Sequence, residues 1–189
     1  PDPVKTVALV AQHLREHGVT CAKIDTIGVG WGVYGSLKEL STKNNPQGQH
    51  TTHDADMVPI NVANVPTEGN EMRFTNRRAE MWWDIGRENC RLKLWDFSGL
   101  EQAVLNDLVH ELTMPKYEIM DAKGKIKIEP KEDTKKRLGG ASPDLADSLL
   151  LAFTPANWAA STTGAKALIA APSLLRGFSA LDSLGPRGW

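Results

Sequence analysis

Val19-Thr-Cys-Ala-Lys-Ile-Asp25-Thr-Ile-Gly28-Val-Gly30-Trp-Gly32 is the stretch that decides the fold. Residues 19–26 predict a strand, and the glycines after it turn the chain tightly into a helix running to about Leu40. Ahead of the strand, Val4, Val7, Ala8, Ala11 and Leu14 recur at helical spacing until Gly18 stops the run. Helix, strand, glycine turn, helix is the order of an α/β protein. Asp25 then closes a strand at its C-terminal end, where α/β sheets take ligands. The same residues also suit a plainer arrangement, with the glycines packing the helix on the strand and Asp25 capping the turn. The Gly-x-Gly-x-Gly spacing does not fit the dinucleotide fingerprint, and no Gly-Lys-Ser/Thr phosphate loop follows.

A second stretch carries two more acids: Ser142-Pro143-Asp144-Leu-Ala-Asp147-Ser-Leu149. Serine, proline and an acid predict a helix start, with Ser142 as the cap and Pro143 in the first turn. The i, i+3 spacing puts Asp144 and Asp147 on one face. Leu145, Leu149, Ala152 and Phe153 are expected to face the core. Acids near a helix start are favourable in their own right. Joined to Asp25 they suit a divalent cation. Phosphodiester hydrolysis by two Mg²⁺ or Mn²⁺ ions about 4 Å apart needs such carboxylates from separate elements. Hard ions of this kind take oxygen ligands, without histidine or cysteine.

Between these stretches the pattern predicts a polar loop over 41–56, a strand over 57–65 and an amphipathic helix over 75–91. Ala79, Trp82, Trp83, Gly86 and Cys90 form the apolar face of that helix, and Arg77 and Arg78 are expected to pair with Glu80 and Asp84. A helix over 99–112 follows, then a hairpin with strands at 116–120 and 125–129, and a short helix over 131–138. Lys123, Lys125, Lys127, Lys131, Lys135, Lys136 and Arg137 place a cationic strip beside the acids, suited to a polyanionic backbone. Glu129, Glu132 and Asp133 dilute it, so ordinary surface lysines remain the alternative.

The bulk numbers narrow the class. At 189 residues and 41% hydrophobic, the chain can build a full core. Its net charge of −1 gives no global signal for nucleic acid. Cys21 and Cys90 are expected to be free thiols. No apolar run approaches the ~20 residues of a membrane span, and no signal peptide is visible. His50, His53, Asp54 and Asp56, and the pair His13 and His17, have metal-binding residue types but read as loop and helix-surface residues. No Gly-x-Ser-x-Gly elbow supports a serine hydrolase.

Four stretches in this order resemble the C-terminal nuclease domain of the large terminase subunit of tailed bacteriophages. They are 24–40, 74–83 (Phe74-Thr-Asn76-Arg77-Arg78-Ala79-Glu80-Met-Trp82-Trp83), 124–132 and 137–153. The resemblance implies an α/β, RNase H-like fold, incomplete, with a mixed sheet flanked by helices. It implies a partial nuclease domain over 1–154. After Pro155 the composition itself changes and predicts a poorly ordered Ala/Ser/Gly-rich tail over 155–189, with a helical turn or two around 165–171. The tail resembles no nuclease motif. The resemblance further implies a metal-dependent endonuclease that cuts concatemeric double-stranded DNA with two Mg²⁺ or Mn²⁺ ions. By this likeness Asp25 is the family's second acid, Asp144 the acid of the last helix, and Asp147 a helper on the same face. Lys131 touches DNA or positions the hairpin. Partners implied are double-stranded DNA, the portal and the small terminase subunit, in the host cell cytoplasm. The family's first acid lies on a strand before anything in these residues, and no Walker motif is found. A terminase fragment, weakly active or inactive alone, is therefore the expectation. Another RNase H-like nuclease, such as a junction resolvase, leaves the Asn-Arg-Arg-Ala-Glu-x-Trp-Trp helix unexplained. A non-enzymatic prophage remnant or DNA-binding module is the third reading.

Overall fold

Asp2 starts the first helix: its carboxylate accepts from the backbone N–H of Val4 at 3.0 Å, and Pro3 fits the first turn. A computed structural model describes the protein over residues 2–120 and 124–158. Helix α1 (Pro3–Glu16) leads into β1 (Cys21–Asp25), then α2 (Gly30–Glu39) and β2 (Asp56–Ile60). The two strands are parallel, with Cys21 opposite Asp56 and Asp25 opposite Ile60. The strand expected over 57–65 stops at Ile60, because Asn61 turns the chain by accepting from Ala63 N–H.

Alternation along β2 builds two cores. Met57 packs with Ala11, Leu14, Val33, Leu37 and Ala55 on the side of α1 and α2. Val58 and Ile60 join Val62, Met81, Trp82, Leu108, Ala146, Leu150 and Trp158 in the other. The strand is thus the wall between two helical layers.

The tryptophan helix is one run of three segments: α3 (Arg77–Glu80), a π-helical stretch (Met81–Arg87) and α4 (Glu88–Arg91). Asn76 caps it by accepting from Ala79 N–H at 2.9 Å. The wider π turns shift the apolar face away from the ordinary helical spacing. Met81, Trp82 and Gly86 are buried, whereas Trp83 is half-buried and Cys90 exposed. Helix α5 (Gln102–Leu112) precedes the antiparallel hairpin of β3 (Tyr117–Met120) and β4 (Lys125–Ile128). The hairpin's described strands match the expectation, and Phe74 bridges to Ile126. Parallel and antiparallel pairing are thus divided between two two-stranded sheets. Helices α6 (Lys131–Arg137) and α7 (Asp144–Phe153) complete the elements.

Helix α7 departs from its expected start and face. Ser142 does not cap it; its hydroxyl donates to Asp144 Oδ1 at 2.9 Å, and Pro143 is buried just outside the helix. Glu111 of α5 accepts from Ala146 N–H at 2.9 Å instead. Ala146 and Leu150 are buried, while Leu145 and Phe153 are exposed. The rotation turns Asp147 inward. Beyond the helix, Trp158 is only 5% exposed and Arg77 Nη1 donates to its carbonyl at 2.7 Å, so the core continues past residue 154. Residues 159–189, where the tail and a helical turn near 165–171 were expected, lie outside the described residues, as does Lys123.

Candidate active site

Asp25 ends β1, and its Oδ1 accepts from Ile27 N–H at 3.1 Å in the turn that follows. Gly28 holds that turn with φ +60°, a conformation open to glycine. Gly30 then brings α2 so close that a Cβ there would lie 1.9 Å from the Asp25 carbonyl oxygen. Asp144 and Asp147 stand on the first turns of α7, and Lys131 on the first turn of α6. All four line one cavity of about 420 Å³, with Arg78 from the tryptophan helix and Ile27, Val62, Met81 and Leu151 as its apolar wall.

Lys131 joins the two helical acids. Its Nζ lies 2.6 Å from Asp144 Oδ1 and 3.0 Å from Asp147 Oδ2. Arg78 Nη1 donates to Asp147 Oδ1 at 2.6 Å, and Trp82 Nε1 donates to the same oxygen at 3.0 Å. The Arg78 guanidinium also lies 5.3 Å from the Trp82 ring centre. Arg78 does not pair with Glu80 or Asp84 as its neighbourhood in sequence suggested. Asp84 is paired to Arg73 at 2.9 Å, and Glu80 accepts from Thr67 and Asn70.

The acids differ electrostatically. Burial pushes the Asp25 carboxyl above its usual range; Ile27 N–H opposes this, the Asp147 charge adds to it, and Lys131 and Arg78 oppose it. The hydrogen bond from Lys131 holds Asp144 below the usual range. Burial alone would lower the Lys131 ammonium, but its bonds and charges from Asp144 and Asp147 outweigh that and raise it. The cavity is therefore a place where carboxylates and cations are balanced at close range.

The expected cationic strip is spread out and largely paired. Arg137 binds Glu129 at 2.6 Å and donates to the Met114 carbonyl, holding Glu129 down to about 2. Lys127 meets Glu118, Lys135 meets Glu132 and Lys136 meets Asp133 at 3.3–3.8 Å. Lys125 lies on β4. Exposed pairs of this kind hold their partners weakly.

The lesser clusters separate. His53 is buried, with Nδ1 accepting from Ala55 N–H and Nε2 on the Leu37 carbonyl, so both nitrogens serve the core. Among the described residues, three ligand atoms approach within 4.8 Å of one another only at His13, Glu16 and His17, all exposed on α1. Asp25, Asp144 and Asp147 share their cavity more openly, spaced around Lys131 and Arg78. Both cysteines are free and exposed. No helix among the described residues is long and apolar enough to cross a membrane.

Solved structures share this fold. The manganese form of a variant nuclease domain of the large terminase subunit of bacterial virus Sf6 matches with a TM-score of 0.56 and 18% identity, over 77% of this chain and 70% of that one. The chain has the fold of a terminase nuclease domain. A second form of the Sf6 domain, with manganese and β-thujaplicinol, gives a TM-score of 0.58 at 18% identity, over 77% of this chain and 69% of that one. The unsubstituted Sf6 nuclease domain gives 0.53 at 20% identity with the same coverage. No protein-family model and no curated protein matches the sequence. The terminase nuclease fold is RNase H-like, and the α/β order read around Asp25 agrees with it. Sequence reading missed Arg78, which lines the cavity, and Trp82, which donates to Asp147 without lining it. The Asn76-Arg77-Arg78 run was visible, but its acid partner lies 69 residues away.

Proposed function

We propose that this chain is the metal-dependent endonuclease domain of a viral DNA-packaging terminase, cutting concatemeric double-stranded DNA by phosphodiester hydrolysis. The observation that carries the reading is the shared cavity: a strand-end acid, Asp25, meets two acids of a late helix, Asp144 and Asp147, within a terminase nuclease fold.

The donor set fits Mg²⁺ or Mn²⁺. Among the described residues, the cavity's charged acceptors are all carboxylate oxygens, and no histidine or cysteine lines it. A cationic group, the Lys131 ammonium, already bridges Asp144 and Asp147. The Sf6 domain's manganese and calcium forms support divalent ions in this fold. Asp25, Asp144 and Asp147 would hold the ions. When bound, these would supply Lewis-acid stabilisation of the attacking and leaving oxygens. Lys131 and Arg78 offset the clustered negative charge, and Ile27, Val62, Met81 and Leu151 exclude water from one side. Lys123, Lys125, Lys127, Lys131, Lys135 and Arg137 would steer the DNA backbone toward the cavity. The portal and small terminase subunit are its partners, and the host cytoplasm its place, on the same likeness.

The test is nicking of supercoiled plasmid DNA by the complete subunit with Mn²⁺. Asp25→Asn and Asp144→Asn should each abolish nicking, and EDTA should stop the unaltered protein. Asp147→Asn should lower it at least in part. Variants that cut like the parent would remove these residues from the site.

A further inference from the structure

We infer that Arg78, acting with Trp82, is a positioning residue that presents one oxygen of Asp147 to the metal-binding cavity. This rests on the nuclease reading above and deepens it.

The geometry is asymmetric in an informative way. A guanidinium that merely neutralises a buried carboxylate does best as a fork, with two nitrogens on two oxygens. Here one nitrogen, Nη1, meets one oxygen, Oδ1, at 2.6 Å. The second donor to that same oxygen is the Trp82 indole N–H at 3.0 Å. Two donors on Oδ1 fix the carboxylate plane and direct Oδ2 to Lys131, which stands 3.0 Å from it at the cavity. Arg78 and Asp147 are 12% and 18% exposed, so both charges are largely withdrawn from water. A buried pair is a poor way to gain stability compared with apolar packing. Among the described residues, Arg78 Nε and Nη2 are moreover buried without a hydrogen-bond partner, so the guanidinium is held incompletely satisfied around its one carboxylate contact.

The local chain is built to hold this pose. Arg78 N–H donates to the Val62 carbonyl at 2.8 Å, and Asn76, two residues earlier, caps the helix. The guanidinium stacks on Trp82, which is itself in the core and lies in the first turn of the π-helical stretch. Outer partners of this kind orient ligands, and their loss weakens metal binding about 10- to 100-fold.

The test measures Mn²⁺ binding to the full chain by electron paramagnetic resonance of free Mn²⁺, with circular dichroism on each variant. Trp82→Phe removes one donor and keeps the ring; Arg78→Lys keeps the charge and loses the planar contact. Both should fold as the parent does and bind Mn²⁺ about 10-fold more weakly. Arg78→Ala should bind more weakly still; if it fails to fold, the other two variants decide. Parent-like affinity in Trp82→Phe and Arg78→Lys, with binding lost in Asp147→Asn, would overturn the positioning role and leave the nuclease reading standing. Parent-like affinity in Asp25→Asn and Asp147→Asn, or no binding by the parent, would remove the nuclease reading and this role with it.

Discussion

At the scale of single residues, the site sets chemistry against stability. Asp25 is pushed above its usual range of about 3.8 by burial, so its ionised form costs folding energy. A raised carboxyl stabilises the fold below the unfolded value, and that contribution disappears as pH rises through the folded value. Asp25→Asn should therefore melt higher than the parent at pH 7 in EDTA, and the gain should vanish below about pH 3.8. Glu129 runs the other way. Arg137 holds it at about 2 against an ordinary 4.5, so its contribution is present above pH 4.5 and fades as pH falls toward 2. Melting curves of Glu129→Gln should lie below the parent at pH 6 and converge with it near pH 2. The three acids were legible because a strand end and an i, i+3 spacing are local signals. Arg78 and Trp82 were not, since their carboxylate lies 69 and 65 residues away and two nearer acids offered themselves first.

At the scale of elements, close approach matters more than propensity. Gly30 starts α2 against the backbone of Asp25, and the atom in the way of a Cβ is a main-chain oxygen that cannot rotate aside. Gly30→Ala should push β1 and α2 apart at this point. Mn²⁺ affinity and nicking should fall together, while circular dichroism keeps its helical signal. Parent-like metal affinity in this variant would mean that the Asp25 turn tolerates displacement. Most elements could be read within a few residues, because hydrophobic period and glycine stops are written in the chain. Two features could not. The π-helical stretch hides because its extra residue per turn leaves the apolar residues looking like an ordinary helix. The α7 cap hides because Ser142-Pro143 offers a complete local start, yet Glu111 from another helix takes the position and rotates the apolar face.

At the scale of the whole molecule, the acids meet because both ends of the chain's fold converge on the C-terminal edge of β1 and β2. That convergence was legible only through the order of the motifs; no local pattern places residue 25 beside residue 147. The same architecture makes β2 the shared wall of two apolar layers, with Met57 on one side and Val58 and Ile60 on the other. One five-residue strand thus serves both halves, and neither half can come loose without exposing its core residues on that side. In deuterated buffer the backbone amides of Val58 and Ile60 should accordingly be among the last to exchange, at a rate set by complete opening of the molecule, well after the ends of α1 have equilibrated.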